Sequence, residues 1–240
     1  MTNRTVIALT GADKHSLLDG LITNQFTPDS PLTYAALLTP QGKYVADFFL
    51  SNQGDEILID VAESHAAVLA QRLGMYKLRA DVQIAESPLH VHLGQGGDAD
   101  PRHPALPARS YLEQPQDAKP DLTALRVENM IPETGQELTN DSYILELGFE
   151  RLNGVDFKKG CFVGQEIVAR MKHKTELKKG LVQVAHDGSA APDTPITNNG
   201  KPAGHLHTVH GDKGLAYLRF DRADGMDADG VALTLIQKGI

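Results

Sequence analysis

The chain has 240 residues, and at roughly 150 residues per domain that corresponds to about 1.6, so one large domain or two to three small ones. With 41% hydrophobic and 22% charged residues the composition is that of an ordinary globular protein, which excludes a disordered, collagenous or coiled-coil chain. A formal charge of -8, from 23 basic and 31 acidic residues, opposes non-specific attachment to a nucleic-acid backbone.

The apolar stretches 35–38 and 45–50 are strand-sized, far short of the roughly 20 residues of a spanning helix, so no membrane partner is expected. Residues 1–9 lack the apolar core and small-residue cleavage site of a secretory leader, and the expected compartment is the cytoplasm. In chain order, Thr5 to Leu9 reads as a strand and His15 to Ile22 as a helix, with Leu17, Leu18, Leu21 and Ile22 at helical spacing. Tyr34 to Thr39 and Tyr44 to Leu50 form a hairpin across Pro40-Gln41-Gly42-Lys43. A strand at Glu56 to Val61, a helix at Ser64 to Met75 and a strand at Ala80 to Ile84 complete an α+β subdomain, β-α-β-β-β-α-β, over residues 1–93.

Residues 94–120 are rich in glycine and proline and read as a connection with one short strand near Tyr111. Residues 121–180 form a second subdomain, with a helix at Leu122 to Met130 stopped by Pro132 and another at Gln165 to Met171. Residues 181–240 read as a small β-barrel-like domain, with strands at 181–185, 201–209, 215–219 and 231–237 and a turn at Asn198-Asn199-Gly200.

The chemistry concentrates in Asn153 to Gly180. Cys161 is the only cysteine, which excludes an internal disulfide or a Cys-based zinc box. It lies just before a helix start with Lys158 and Lys159 adjacent, an arrangement that favours thiolate, although a lone cysteine also packs as a small buried hydrophobe. Glu166 and Arg170 are one turn apart and can pair; Gln165 and Glu166 can also serve as polar handles for an amide-rich heterocycle such as a pterin.

The run Lys159 to Glu166, KGCFVGQE, followed by Arg170, resembles the KGCY.GQE...R signature of the YgfZ family of folate-binding proteins, relatives of the glycine cleavage T-protein. The resemblance extends over LTGADKHSLLDGLITN at 9–24, TPQGKYVADFFL at 39–50, and Arg126-Val127-Glu128 with Ile131-Pro132. It implies a T-protein-like α+β fold, two α+β subdomains around a central channel for tetrahydrofolate, plus a small C-terminal barrel. It implies a role in assembly or repair of iron-sulfur clusters, including those of tRNA-modifying radical enzymes, with iron-sulfur assembly proteins and cluster-containing client enzymes as partners. By the same resemblance Cys161 is the chemical residue. Arg126, Glu128, Gln165, Glu166 and Asn24 contact the cofactor, and Lys159, Gly160, Gly164 and Arg170 are motif residues. Folate would lie between the first subdomain and the loop of Gly160 to Glu166. The chain has no tryptophan, so stacking on the pterin falls to other residues.

Two rival readings come from other classes. An aminomethyltransferase needs a carboxylate at the folate nitrogen, for which Asp47 and Asp81 are candidates, with Asp47 also readable as a solvent-exposed strand residue. An interaction scaffold predicts no folate affinity. His90 with His92 and His205 with His207 alternate on strands, but neither pair has an obvious third ligand, so no metal site and no permanent metal are assigned. The basic run Arg170, Lys172, Lys174, Lys178 and Lys179 lacks interleaved aromatics; it reads as a solvated face or as an attractor for a polyglutamate tail rather than a nucleic-acid site.

Overall fold

The computed structural model describes residues 3–174 and 176–240, and the chain divides into two compact units. One consists of Thr2–Pro120 and Leu152–Ile167; the other of Asp121–Arg151 and Val168–Ile240.

The first unit holds β1 (Arg4–Thr10), α1 (Lys14–Asp19), β2 (Thr33–Leu38), β3 (Tyr44–Asn52), β4 (Ile57–Ala62), α2 (Glu63–Lys77) and β5 (Gln83–Glu86). This is the β-α-β-β-β-α-β order read from the sequence. The strands form one antiparallel sheet, ordered β2-β3-β4-β1-β5. Strands β2 and β4 are buried along their whole length and β3 along nearly all of it, which is why their sequences are continuous apolar runs rather than alternations. One face packs Ile7, Leu9, Leu37, Phe48, Leu50, Ile57 and Ile59 against Leu18 of α1 and Leu69 and Leu73 of α2. Helix α1 ends at Asp19, earlier than the apolar spacing predicts, and Gly20 follows as its cap.

The opposite face is closed by ion pairs. Asp60, fully buried, accepts from Arg4 Nε at 2.5 Å and from Arg109 Nη1 at 2.7 Å. Asp100 accepts from Arg109 Nε at 3.2 Å and from Arg102 Nη2 at 2.8 Å. All three guanidinium groups lie near the ring of Phe49, that of Arg109 3.7 Å from its centroid. Asp100, Arg102 and Arg109 come from the glycine- and proline-rich stretch expected to be a connection. That stretch covers the sheet instead, and it contains a two-stranded ladder of β6 (His90–Gly94) with β7 (Ala108–Leu112). Within the stretch Asp100 pairs with Arg102 and Arg109, and Arg109 also reaches Asp60, 49 positions upstream, so the buried charges are matched locally and across the sheet.

The second unit holds α3 (Thr123–Asn129), the later part of α4 (Gln165–Lys174), and six strands. These are β8 (Lys179–Ala185), β9 (Thr194–Asn198), β10 (Lys201–His210), β11 (Lys213–Arg219), β12 (Met226–Ala228) and β13 (Val231–Lys238). They close as a barrel, β10-β11-β8-β13-β12-β9, around Val182, Val184, Ile196, Leu206, Leu218 and Met226. The expected strands are present, and β9 and β12 are additional. Pro195 interrupts the β9 pattern and β12 has three residues, so neither carries a readable alternation.

Removing the Asp60 carboxylate in Asp60→Ala leaves buried Arg4 without its carboxylate and Arg109 with Asp100 alone, and should cost about 3–5 kcal/mol in urea unfolding. Burial pushes the Asp100 carboxyl upward, but the charge and hydrogen bonds of Arg102, with Arg109, bring it below the ordinary carboxylate value. A depressed folded value means stability is present above the unfolded carboxylate pKa of about 3.9 and is lost as pH falls through the folded one. Stability should therefore drop below about pH 4, and Asp100→Asn should flatten that part of the pH profile.

Candidate functional site

The segment Lys159 to Gln165 belongs to the first unit and is anchored on both sides of an exposed residue. Lys159 is 7% exposed, and its ammonium donates to the carbonyls of Asp19 at 2.6 Å and Ile22 at 2.9 Å, with the Asp19 carboxylate 3.8 Å away. A cation at the carbonyl end of α1 satisfies groups the helix leaves open. Burial lowers the Lys159 pKa below its ordinary value, against the raising effect of Asp19, Asp156 and Cys161. Phe162 is buried, with the same ammonium 5.1 Å from its ring centroid, and Val163 packs on the sheet core.

Gly164, at φ +85°, comes next. A Cβ there would lie 2.7 Å from the Thr39 carbonyl and 3.1 Å from Gly42 Cα. Gly42, at φ +73° in the β2–β3 turn, leaves no room for a Cβ against Ile167, 2.7 Å away. Both glycines are thus required by backbone conformation and by close approach. The two most specific sequence motifs, TPQGK and KGCFVGQE, are one packed element. Between the anchors, Cys161 is exposed.

The other expected residues fall in different settings. Gln165 is half-buried and Glu166 exposed on the first turn of α4, and among the described residues neither side chain has a protein hydrogen-bond partner. Glu166 forms no ion pair with exposed Arg170, contrary to the expectation from their spacing. The Lys159 ammonium is directed at the carbonyls of Asp19 and Ile22. Asn24 holds two backbone segments, donating to the carbonyls of Tyr34 at 2.9 Å and Asn153 at 2.8 Å.

Arg126 and Glu128 lie in the other unit. Arg126 is buried and committed: Nη1 donates to Glu133 at 2.7 Å and Gln136 at 3.0 Å, Nη2 to Glu137 at 2.6 Å, and Nε to the Ile131 carbonyl at 3.1 Å. Thr208 of β10 donates to Glu137 at 2.5 Å, so this cluster braces α3 and the loop after it against the barrel. Glu128 is exposed and pairs with Lys213 at 2.7 Å. In the basic run, Lys172 pairs with Glu150, and the Lys174 side chain lies outside the described residues.

Asp47, read as exposed on its strand, is instead 3% exposed and accepts from Tyr44 at 2.6 Å and Tyr34 at 3.0 Å. Both faces of β3 are covered, which a single-face alternation could not reveal. Burial, then the Asp47 charge, pushes the Tyr34 hydroxyl well above its ordinary value, so it serves as a proton donor in this pair. Asp81 is exposed and accepts from the Ala12 amide.

Fold and site together define an α+β chain of the glycine cleavage T-protein type, with a closed C-terminal barrel and a single braced, exposed thiol. The glycine cleavage system aminomethyltransferase T from Bartonella henselae superposes with a TM-score of 0.75 over 98% of this chain and 83% of that one, at 12% identity. Residues 178–239 match the family described as CAF17, C-terminal beta-barrel domain.

By sequence the chain is a relative of proteins named iron-sulfur cluster assembly factor IBA57, mitochondrial. It is 29% identical to the Neurospora crassa homolog over 84% of this chain and 56% of that protein. The corresponding values are 28%, 94% and 78% for the mouse protein, and 26%, 84% and 60% for the Mycosarcoma maydis homolog. The chain therefore spans little more than half the length of some of these relatives. Their names overturn the expected cytoplasmic location, since all three are mitochondrial proteins. A test for a secretory leader does not separate those two compartments.

Two outcomes follow from this geometry. Native protein should be alkylated by iodoacetamide to one thiol per chain without denaturant, as read by intact mass. Lys159→Met should strip the Asp19 and Ile22 carbonyls of their ammonium donor and cost about 1–3 kcal/mol in denaturant unfolding.

Proposed function

We propose that this chain is an iron-sulfur cluster assembly factor in which Cys161 is the ligand offered to a cluster shared with a partner protein. We further propose that it binds tetrahydrofolate, as the YgfZ resemblance implies. The observation that carries the reading is the exposed Cys161 on a loop fixed by the Lys159 and Gly164 anchors. A cluster usually takes four thiolates and this chain supplies one, so the remaining ligands belong to the partner or to a second copy. Ligation takes the thiolate form, and the thiol proton leaves to solvent when iron binds. The names of the relatives support the same role.

The polar groups of the site fit a reduced pterin in part. Gln165 offers a free amide donor and acceptor and Glu166 a free carboxylate, which together match the donor and acceptor edge of the ring. Arg126 and Asn24 are held by internal hydrogen bonds, and using them would break those bonds. When bound, tetrahydrofolate supplies a reduced pterin able to carry a one-carbon unit. The residues of this chain bind and orient it.

In cells lacking the native protein, Cys161→Ser should lower the activity of a [4Fe–4S] enzyme such as aconitase at least tenfold while the variant keeps its far-UV circular dichroism. Full complementation would remove the thiol from the function. Anaerobic calorimetry with tetrahydrofolate should give saturable binding, weakened at least tenfold, or about 1.4 kcal/mol, by joint replacement of Gln165 and Glu166 with alanine.

A further inference from the structure

The barrel carries a cluster of side chains to which the proposed function assigns no part. His205 and His207 both lie on β10, and Asp193 sits immediately before β9. The β9–β10 register pairs Thr194 with Leu206 and Pro195 with His205, which sets Asp193 across from His207. The Asp193 amide also donates to the His207 carbonyl at 3.4 Å.

Against β11 the register slips between Leu206 and Thr208, so His207 is the extra residue of a bulge. Such a bulge redirects a side chain that a regular ladder would hold apart from its neighbour. Here the two imidazoles come to 4.8 Å between ring centroids. Leu206, between them, points into the barrel core, so the histidines face outward. Asp193 adopts φ +56°, a left-handed conformation that aspartate tolerates better than most residues.

One ligand atom from each of the three residues lies within 4.8 Å of the other two. Among the described residues, none of these three side chains has a protein hydrogen-bond partner. Two imidazoles and a carboxylate are each an established ligand type for zinc-class ions, with metal-ligand distances of about 2.0–2.2 Å. Tetrahedral geometry at those lengths places ligand atoms about 3.4 Å apart, a contraction within the reach of side-chain rotation. Hard ions such as magnesium and calcium favour all-oxygen sets, which this is not.

We infer that Asp193, His205 and His207 form a binding site for a divalent transition-metal ion of the zinc class, with at least one coordination position open to solvent. The third ligand was invisible in the sequence because it lies 12 positions before the first histidine, beyond a turn, and becomes a neighbour only through strand pairing.

The test titrates the full chain in the Cys161→Ser background, which removes the competing thiolate. Zinc should bind at one ion per chain by calorimetry, cobalt should bind with visible d–d absorption, and magnesium and calcium should not compete at millimolar levels. His205→Gln, His207→Gln and Asp193→Asn should each weaken zinc binding at least tenfold, and zinc should raise the melting temperature of the parent more than that of any variant. Asp193 is exposed, so its variant retains the fold even where a histidine replacement disturbs the strand. Absence of binding in the parent, or affinity unchanged in all three variants, would overturn the site.

Discussion

The Lys159 ammonium, buried on the carbonyls of Asp19 at the end of α1 and of Ile22 just beyond it, is the contact on which the arrangement around the thiol depends. An ion taken out of water needs partners, and here it finds two backbone oxygens and a carboxylate. That requirement holds one end of the 159–164 loop in place, and the close approach of Gly164 to the Thr39–Gly42 turn holds the other. Lys159 and Phe162 are buried on either side, and Gly160 and Cys161 are the exposed residues between them.

The same logic of paired burial organises the rest of the first unit. One sheet face is closed by aliphatic packing against two helices and the other by arginines and aspartates around Phe49. Ion pairs of this kind add less net stability than their number suggests, because desolvation offsets most of the attraction. The pair that ties the segment to the sheet is Arg109 with Asp60, while Asp100 binds Arg102 and Arg109 within the segment.

Much of this was legible before any coordinates. The order of the first seven elements followed from apolar periodicity and from the glycine turn at Gly42, and the helix at Gln165 from its composition. Strand β9 was hidden by Pro195 and β12 by its brevity. The buried charges were hidden for a different reason: single-sequence reading treats arginine and aspartate as surface residues, and burial of Arg4 and Arg109 depends on Asp60, about 50 positions away in the chain. The motif marked the loop and helix start that carry Cys161, Gln165 and Glu166. It could not show that Arg126 and Asn24 spend their donors on the fold, because hydrogen-bond saturation depends on distant carbonyls and carboxylates.

The first unit is completed by a segment that returns after 31 residues belonging to the other unit. During synthesis the ribosome therefore delivers residues 2–120 well before the stretch that fills the end of α1 and covers the β2–β3 turn. Until then the Asp19 and Ile22 carbonyls lack their cation and the glycine turn lacks its lid. A nascent chain at this stage holds a nearly finished sheet with one seam open. The thiol is translated with the segment that closes it, so it reaches its display position at the moment the unit becomes whole.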